Sequence, residues 1–273
     1  MNLGEPQVMG ILNVTPDSFY AGSRTFDEES IFHRARQIAD EGGTIIDIGA
    51  YSTRPGSADV DEAEEMLRLR RALVAVRKAA PGIPVSIDTF RANVAKMCVE
   101  EYGADIINDV SGGEGDKCMF NTVARLGVPY ILMHIGGTVE NMHNDAPLTS
   151  HADSAVPYMQ SVMAFFTVRI NRLHSLGVKD IIIDPGYGFG KSMTQNYELL
   201  NHIDYLKIWQ LPLLVGVSRK SMIYKLLGTN PSQALNGTTV CNTMALLKGA
   251  SILRVHDVKA AVETVKIVKQ TIG

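Results

Sequence analysis

At 273 residues, with 45% hydrophobic and 20% charged residues and no low-complexity run, the sequence has the composition of a globular chain able to bury a full core. A net charge of -3 excludes the broad basic footprint of a nucleic-acid binder and leaves only local basic clusters for small anions. No stretch approaches the roughly 18 apolar residues of a bilayer span, and MNLGEPQVMGILNV lacks a basic leader, so a cytoplasmic chain is expected. Cys98, Cys118 and Cys241 are too scattered for a metal clip or a disulfide framework.

In chain order, short Val/Ile-rich runs alternate with amphipathic segments, the pattern of βαβ units and a parallel sheet. The runs are VMGIL from Val8, TIIDI from Thr44, VSID from Val85, DIIND from Asp105, PYILMH from Pro129, DIIID from Asp180, LPLLVGV from Leu211 and SILRV from Ser251. Eight such runs in about 250 residues predict a single (β/α)8 TIM barrel domain spanning 1–273. Helical spacing of Ile31, Ala35, Ile38 and Ala39 predicts a helix from Asp27 to Glu41, stopped by Gly42-Gly43. A second is expected from Asp61 to Ala79 on Ala63, Met66, Leu67, Leu73 and Val76. Longer loops are expected from Ile135 to Ser150 and from Gly228 to Gly237.

A barrel carries its site at the carboxyl ends of its strands. Those ends hold Asn13, Asp47 with Thr53 nearby, Asp88, Asn108, His134, Asp184, Ser218 with Arg219 and Lys220, and Arg254 with His256. Period-2 alternation puts Asp88, Asn108 and Asp184 over the mouth, where two carboxylates and an amide suit a flat ligand rich in N–H donors. Each could instead cap a following helix. Arg254 and His256 point the same way and suit a phosphate or pyrophosphate. In GVSRKS, Ser218 can cap the next helix while Arg219 and Lys220 add positive charge. The loops NVTPDSF (13–19) and STRPGS (52–57) are expected to carry function. Neither contains a metal-ligand cluster or a Gly-x-Ser-x-Gly elbow. DPGYGFGKS (184–192) ends like a P-loop but has Pro185 where the first glycine belongs, and its glycines are spaced G-x-G-x-G. They are expected to form a tight turn.

With these motifs assembled, the sequence closely resembles the dihydropteroate synthases: GILNVTPDSF, DIGAYSTRPGS, SIDTF, IINDVSGG, LMH, DPGYGFGK, GVSRKS and RVHDV occur in that family's order over nearly the whole chain. The resemblance implies condensation of a dihydropterin pyrophosphate with p-aminobenzoate by dissociative substitution, in a homodimeric, Mg2+-dependent enzyme of a family that sulfonamides target. It implies that Asp88, Asn108, Met133, Asp184, Lys220 and Arg254 hold the pterin, with Asp88, Asp184, Lys220, Arg254 and His256 catalytic. Asn13, Arg254 and His256 would take the pyrophosphate, Asn13 sharing the Mg2+. Phe19, Thr53, Arg54, Pro55, Phe189, Lys220 and Ser221 would build the p-aminobenzoate site. The sequence departs from the family at Tyr51, where a Glu is usual, and over Met133 to Val139. A methyltetrahydrofolate–corrinoid methyltransferase would share the Asp/Asn/Asp set but leaves STRPG and RVH unexplained. A pterin-binding protein without catalysis would be free to lose Arg54, Pro55, Lys220 and His256.

Overall fold

The computed structural model describes residues 4–14, 28–51, 60–137 and 155–272. Every apolar run becomes a strand: β1 (Gln7–Asn13), β2 (Ile45–Gly49), β3 (Val85–Asp88), β4 (Ile106–Asp109), β5 (Tyr130–Met133), β6 (Ile181–Asp184), β7 (Leu214–Val215) and β8 (Ile252–Val255). They pair in parallel in the order β6-β5-β4-β3-β2-β1-β8-β7. The barrel closes through one bridge from Ile183 of β6 to Leu213, where the Ile183 N–H donates to the Pro212 carbonyl at 2.9 Å. β7 is shorter than its apolar run because Pro212 has no N–H to give a ladder.

The helices are α1 (Glu28–Asp40), α2 (Glu62–Ala79), α3 (Ala92–Tyr102), α4 (Met119–Leu126), α5 (Ala155–Ser175), α6 (Met193–Asn201), α7 (Ser221–Leu226), α8 (Leu235–Leu247) and α9 (Val258–Ile272). Asp61 caps α2, its carboxylate accepting from the Glu64 N–H at 2.8 Å. The buried face of α2 is Glu65, Leu69, Ala72, Leu73 and Val76, whereas Ala63 and Leu67 are exposed. Apolar periodicity misjudged that face because a polar residue, Glu65, lies on it: its carboxylate accepts from the Thr89 hydroxyl and pairs with Arg91. The expected 228–237 loop is also shorter than its glycines imply. Gly237 lies inside α8, where a β-carbon would sit 2.4 Å from Ile223 Cγ2, so the glycine permits α8 to pack on α7.

Strand alternation sorts side chains into two cores. Met9, Ile45, Ile106, Ile131, Ile182, Leu214 and Ile252 fill the barrel interior, while Val8, Leu12, Ile46, Ile48, Ile107, Leu132, Ile183 and Leu253 face the helices. At the upper end the inward positions become mostly polar, with Met133 of β5 the apolar exception. Leu214→Ala should cost about 3 kcal/mol in urea-induced unfolding, since the rigid strands around it cannot collapse into the void. A loss below about 1 kcal/mol would show that the interior layer is not close-packed there.

Candidate active site at the barrel mouth

Register aligns Asn13 with Gly49, Gly49 with Asp88, Asp88 with Asn108, and Met133 with Asp184. These inward-facing positions form the polar layer above the apolar one. At its centre the Arg254 guanidinium reaches from β8 across the interior: Nε donates to Asp47 Oδ2 at 2.7 Å and Nη2 to Asp88 Oδ2 at 2.8 Å. Burial opposes the arginine's charge, but Asp47 and Asp88 outweigh it and raise its pKa. Burial raises the Asp88 carboxyl to about 7, against the pull of Arg254 and with a further push from Asp47.

Asn108 is buried and donates through Nδ2 to Asp47 Oδ2 at 3.2 Å. Asn108 Oδ1, Asp47 Oδ1 and Ser86 Oγ have no hydrogen-bond partner among the described residues. Buried polar atoms are normally satisfied, so three together mark a place made for a hydrogen-bonding guest. None of Asp88, Asn108 and Asp184 caps a helix; Asp184 Oδ1 accepts from the Gly186 N–H at 2.7 Å, and burial raises its pKa against the nearby Lys220.

Lys220 stands opposite. Its Nζ donates to the Tyr187 carbonyl and lies 4.2 Å from the Phe189 ring centroid, and burial lowers its pKa to about 7 against Asp184. Met133 is buried with Val110 and Ile135, and Phe189 packs against this cluster. Ser221 begins α7, half-buried beside Lys220.

The loop carrying Phe189 is the tight turn its glycines implied. Gly186, Gly188 and Gly190 all have positive φ, and a β-carbon on Gly190 would fall 1.6 Å from the Gly136 carbonyl oxygen. Ser192 then caps α6 in a capping box with Gln195. The letters GKS are a turn, a buried lysine and a helix cap.

At the other side of the mouth, His256 is half-buried and its Nδ1 lies 3.2 Å from Ser218 Oγ, which also accepts from the His256 N–H. Ser218 therefore orients the histidine and does not cap α7, whose N-cap is Lys220 without a side-chain cap bond. Arg219 is likewise not free to meet a substrate anion. It makes two bonds to Asp257, at 2.8 and 2.9 Å, and donates to the carbonyls of Pro231 and Ser232. Its φ of 56° turns it away from the mouth, beyond what strand spacing could foretell. His134 points outward from the barrel onto Phe165, with 4.8 Å between centroids. A carboxyl-end position on a strand does not itself face the pocket; the parity of β5 puts Met133 inside and His134 outside.

Phe19, Thr53, Arg54 and Pro55 lie outside the described residues, as do the Asp27 cap and residues 138–150. Of the departures, Tyr51 packs edge-on against Phe90, 5.2 Å between centroids, with Arg91 over its ring. Two residues without an assigned role prove central: Asp47, the anchor of Arg254, and Lys191. Asp47 was signalled by its place, an acidic residue on an inward strand position between Ile45 and Gly49.

The result is an α/β-barrel protein whose mouth presents acceptors and an amide to an N–H-rich heterocycle, with cations on both flanks. Residues 9–256 match the family model described as "Pterin binding enzyme". The chain is 37% identical to the dihydropteroate synthase of Escherichia coli (strain K12) over 275 residues, covering 100% of this chain and 94% of that protein. The Yersinia pestis dihydropteroate synthase, solved with a sulfonamide drug complex, superposes with a TM-score of 0.89 at 39% identity, covering 99% of this chain and 96% of that one. The Xanthomonas albilineans enzyme with 4-aminobenzoic acid gives 0.88 at 36%, covering 99% and 94%. The chain belongs to the dihydropteroate synthase family of pterin-binding enzymes.

The folded pKa of Asp88, about 7, lies above its unfolded value of 3.8, so the native state holds this proton more tightly. The stability tied to the group is complete below about pH 4 and is lost as pH rises through about 7. Unfolding curves of the substrate-free protein should show wild type losing stability relative to Asp88→Asn across this window. A flat difference would mean that Asp88 titrates as an ordinary carboxylate.

Proposed function

We propose that the chain joins 6-hydroxymethyl-7,8-dihydropterin pyrophosphate to p-aminobenzoate in folate biosynthesis in the cytoplasm, releasing pyrophosphate. The observation that carries this reading is the Asp47–Arg254–Asp88 triad beside the unpartnered Asn108 carbonyl. The pterin edge would donate N–H groups to Asp88, Asn108 and Asp184, with Met133 lining the pocket and Arg254 stacking on the ring. When Asp88 turns to the pterin, Asp47 remains to hold Arg254. Arg254 and His256 would grip the pyrophosphate, and Lys220 and Ser221 with Phe189 and the 13–19 and 52–57 loops would receive p-aminobenzoate.

In the reaction the methylene C–O bond breaks and its electron pair leaves with pyrophosphate. The positive charge left on the methylene spreads into the dihydropterin ring, where Asp88 and Asp184 stabilise it. The neutral aryl amine then forms the C–N bond and sheds its proton to water, so no strong base is required.

Among the described residues no group of three or more His, Cys, Asp and Glu side chains is placed to hold a metal. The residues do fit a Mg2+ that takes most of its oxygens from the substrate. A β-carbon on Gly49 would lie 3.4 Å from Asn13 Oδ1 and 3.6 Å from Asp88 Oδ2, so this glycine keeps a small space open beside both oxygens. Bound there through Asn13, Mg2+ would supply charge to the departing pyrophosphate.

A homodimer would use α7 and α8. Val240, Met244 and Leu247 form an exposed stripe at helical spacing, and Leu226 and Leu227 extend it. Met244→Asp should give a monomer by light scattering; an unchanged mass would place the interface elsewhere.

The decisive measurement is pyrophosphate release from dihydropterin pyrophosphate. Release should require p-aminobenzoate and Mg2+ and be blocked by a sulfonamide, and Asp88→Asn should cut turnover by about two orders of magnitude with pterin affinity changed far less. Equal losses in both would remove the cation-stabilising role. Pterin binding without any release would identify a binding protein instead.

A further inference from the structure

Lys191 is one of the few buried lysines a soluble protein tolerates, being 4% exposed. Its Nζ donates to the carbonyls of His134 at 3.1 Å, Gly186 at 2.7 Å and Phe189 at 3.1 Å. Three acceptors need three N–H donors, which only the ammonium provides. Burial presses its pKa well below the ordinary lysine value, with Asp184 opposing. Desolvating a cation costs several kcal/mol, so a site that needed only filling would be served better by methionine or leucine.

What the ammonium gathers is the junction of the chain leaving β5 with the loop leaving β6. The two backbones touch there: the Gly136 N–H donates to the Phe189 carbonyl at 3.2 Å, and a β-carbon on Gly136 would lie 2.2 Å from the Gly190 oxygen. In the loop built on Gly186, Gly188 and Gly190, side chains such as Phe189 and the fully buried Tyr187 supply the packing, which leaves the backbone carbonyls to be held by another group. Lys191 takes over that task from below, while the ring of Phe189 faces Lys220 above.

We propose that Lys191 is a positioning residue for the second substrate, fixing Phe189 at the p-aminobenzoate side of the mouth by tying its carbonyl to the ends of β5 and β6. This rests on the placement of Phe189 in that subsite proposed above. Asp88 and Asn108 stand on β3 and β4, apart from this junction, whereas Met133 and Asp184 border it, so loss of Lys191 should weaken pterin binding less than p-aminobenzoate binding.

The test compares Lys191→Met, Lys191→Gln, Phe189→Ala and the Lys191→Met/Phe189→Ala pair, measuring KM for each substrate, kcat, dihydropterin pyrophosphate binding and thermal unfolding. Lys191→Met should raise KM for p-aminobenzoate about tenfold or more while pterin affinity stays within about threefold, and Lys191→Gln, which keeps two donors, should fall between. The pair should be far from additive, because both changes act through one ring. If Phe189→Ala leaves KM for p-aminobenzoate unchanged, the subsite itself is misplaced. If Phe189→Ala raises it and neither Lys191 variant does, or if Lys191 variants weaken both substrates equally, the positioning role is overturned. Lys191→Gln serves the same comparison should Lys191→Met fail to fold.

Discussion

One half-buried cation organises the mouth of this barrel. Arg254 extends from β8 to Asp47 on β2 and Asp88 on β3, joining strands that are not neighbours to it by sequence. Removing such an ion from water is affordable only when its partners are close and hydrogen-bonded, which two carboxylates at 2.7 and 2.8 Å achieve. Because the guanidinium is shared, neither carboxylate is wholly committed to it. Asp88 can be taken by a ligand while Asp47 keeps the arginine in place.

The same economy appears elsewhere on the rim. His256 is oriented by Ser218, Lys220 by the Tyr187 carbonyl, and the Phe189 loop by Lys191. His256 and Lys220 are each held by a group from a neighbouring βα unit, and Lys191 ties its own loop to the end of β5 through the His134 carbonyl. Burial then leaves Asp88 and Lys220 with pKa values of about 7, a carboxyl and an amine brought toward each other's range by the same loss of water. Such tuning disfavours the empty site and favours one filled by a guest that supplies the missing hydrogen bonds.

Legibility in the sequence followed local periodicity. Alternation along a strand is a one-dimensional property, so VSID and DIIND announced the inward Asp88 and Asn108, and the apolar run of β6 announced Asp184. It failed where a tertiary partner redirected a side chain. Ser218 and Arg219 look like a helix start with spare charge, but His256 and Asp257, nearly forty residues further along, claim them. Glu65 looks like a solvated helix residue, yet Thr89 and Arg91 draw it inside.

The sequence by itself determined the eight-strand alternation, the inward acidic and amide positions and the motif order that marks the family. These depend on residue spacing along the backbone, and spacing is written in the chain. Only the tertiary structure decided that Asp47 anchors Arg254, that Arg219 serves the scaffold, and that the lysine of DPGYGFGKS gathers the carbonyls of two loops. Those outcomes depend on which strands and loops become neighbours when the barrel closes, and on the cost of leaving a charge or a carbonyl without a partner once water is gone.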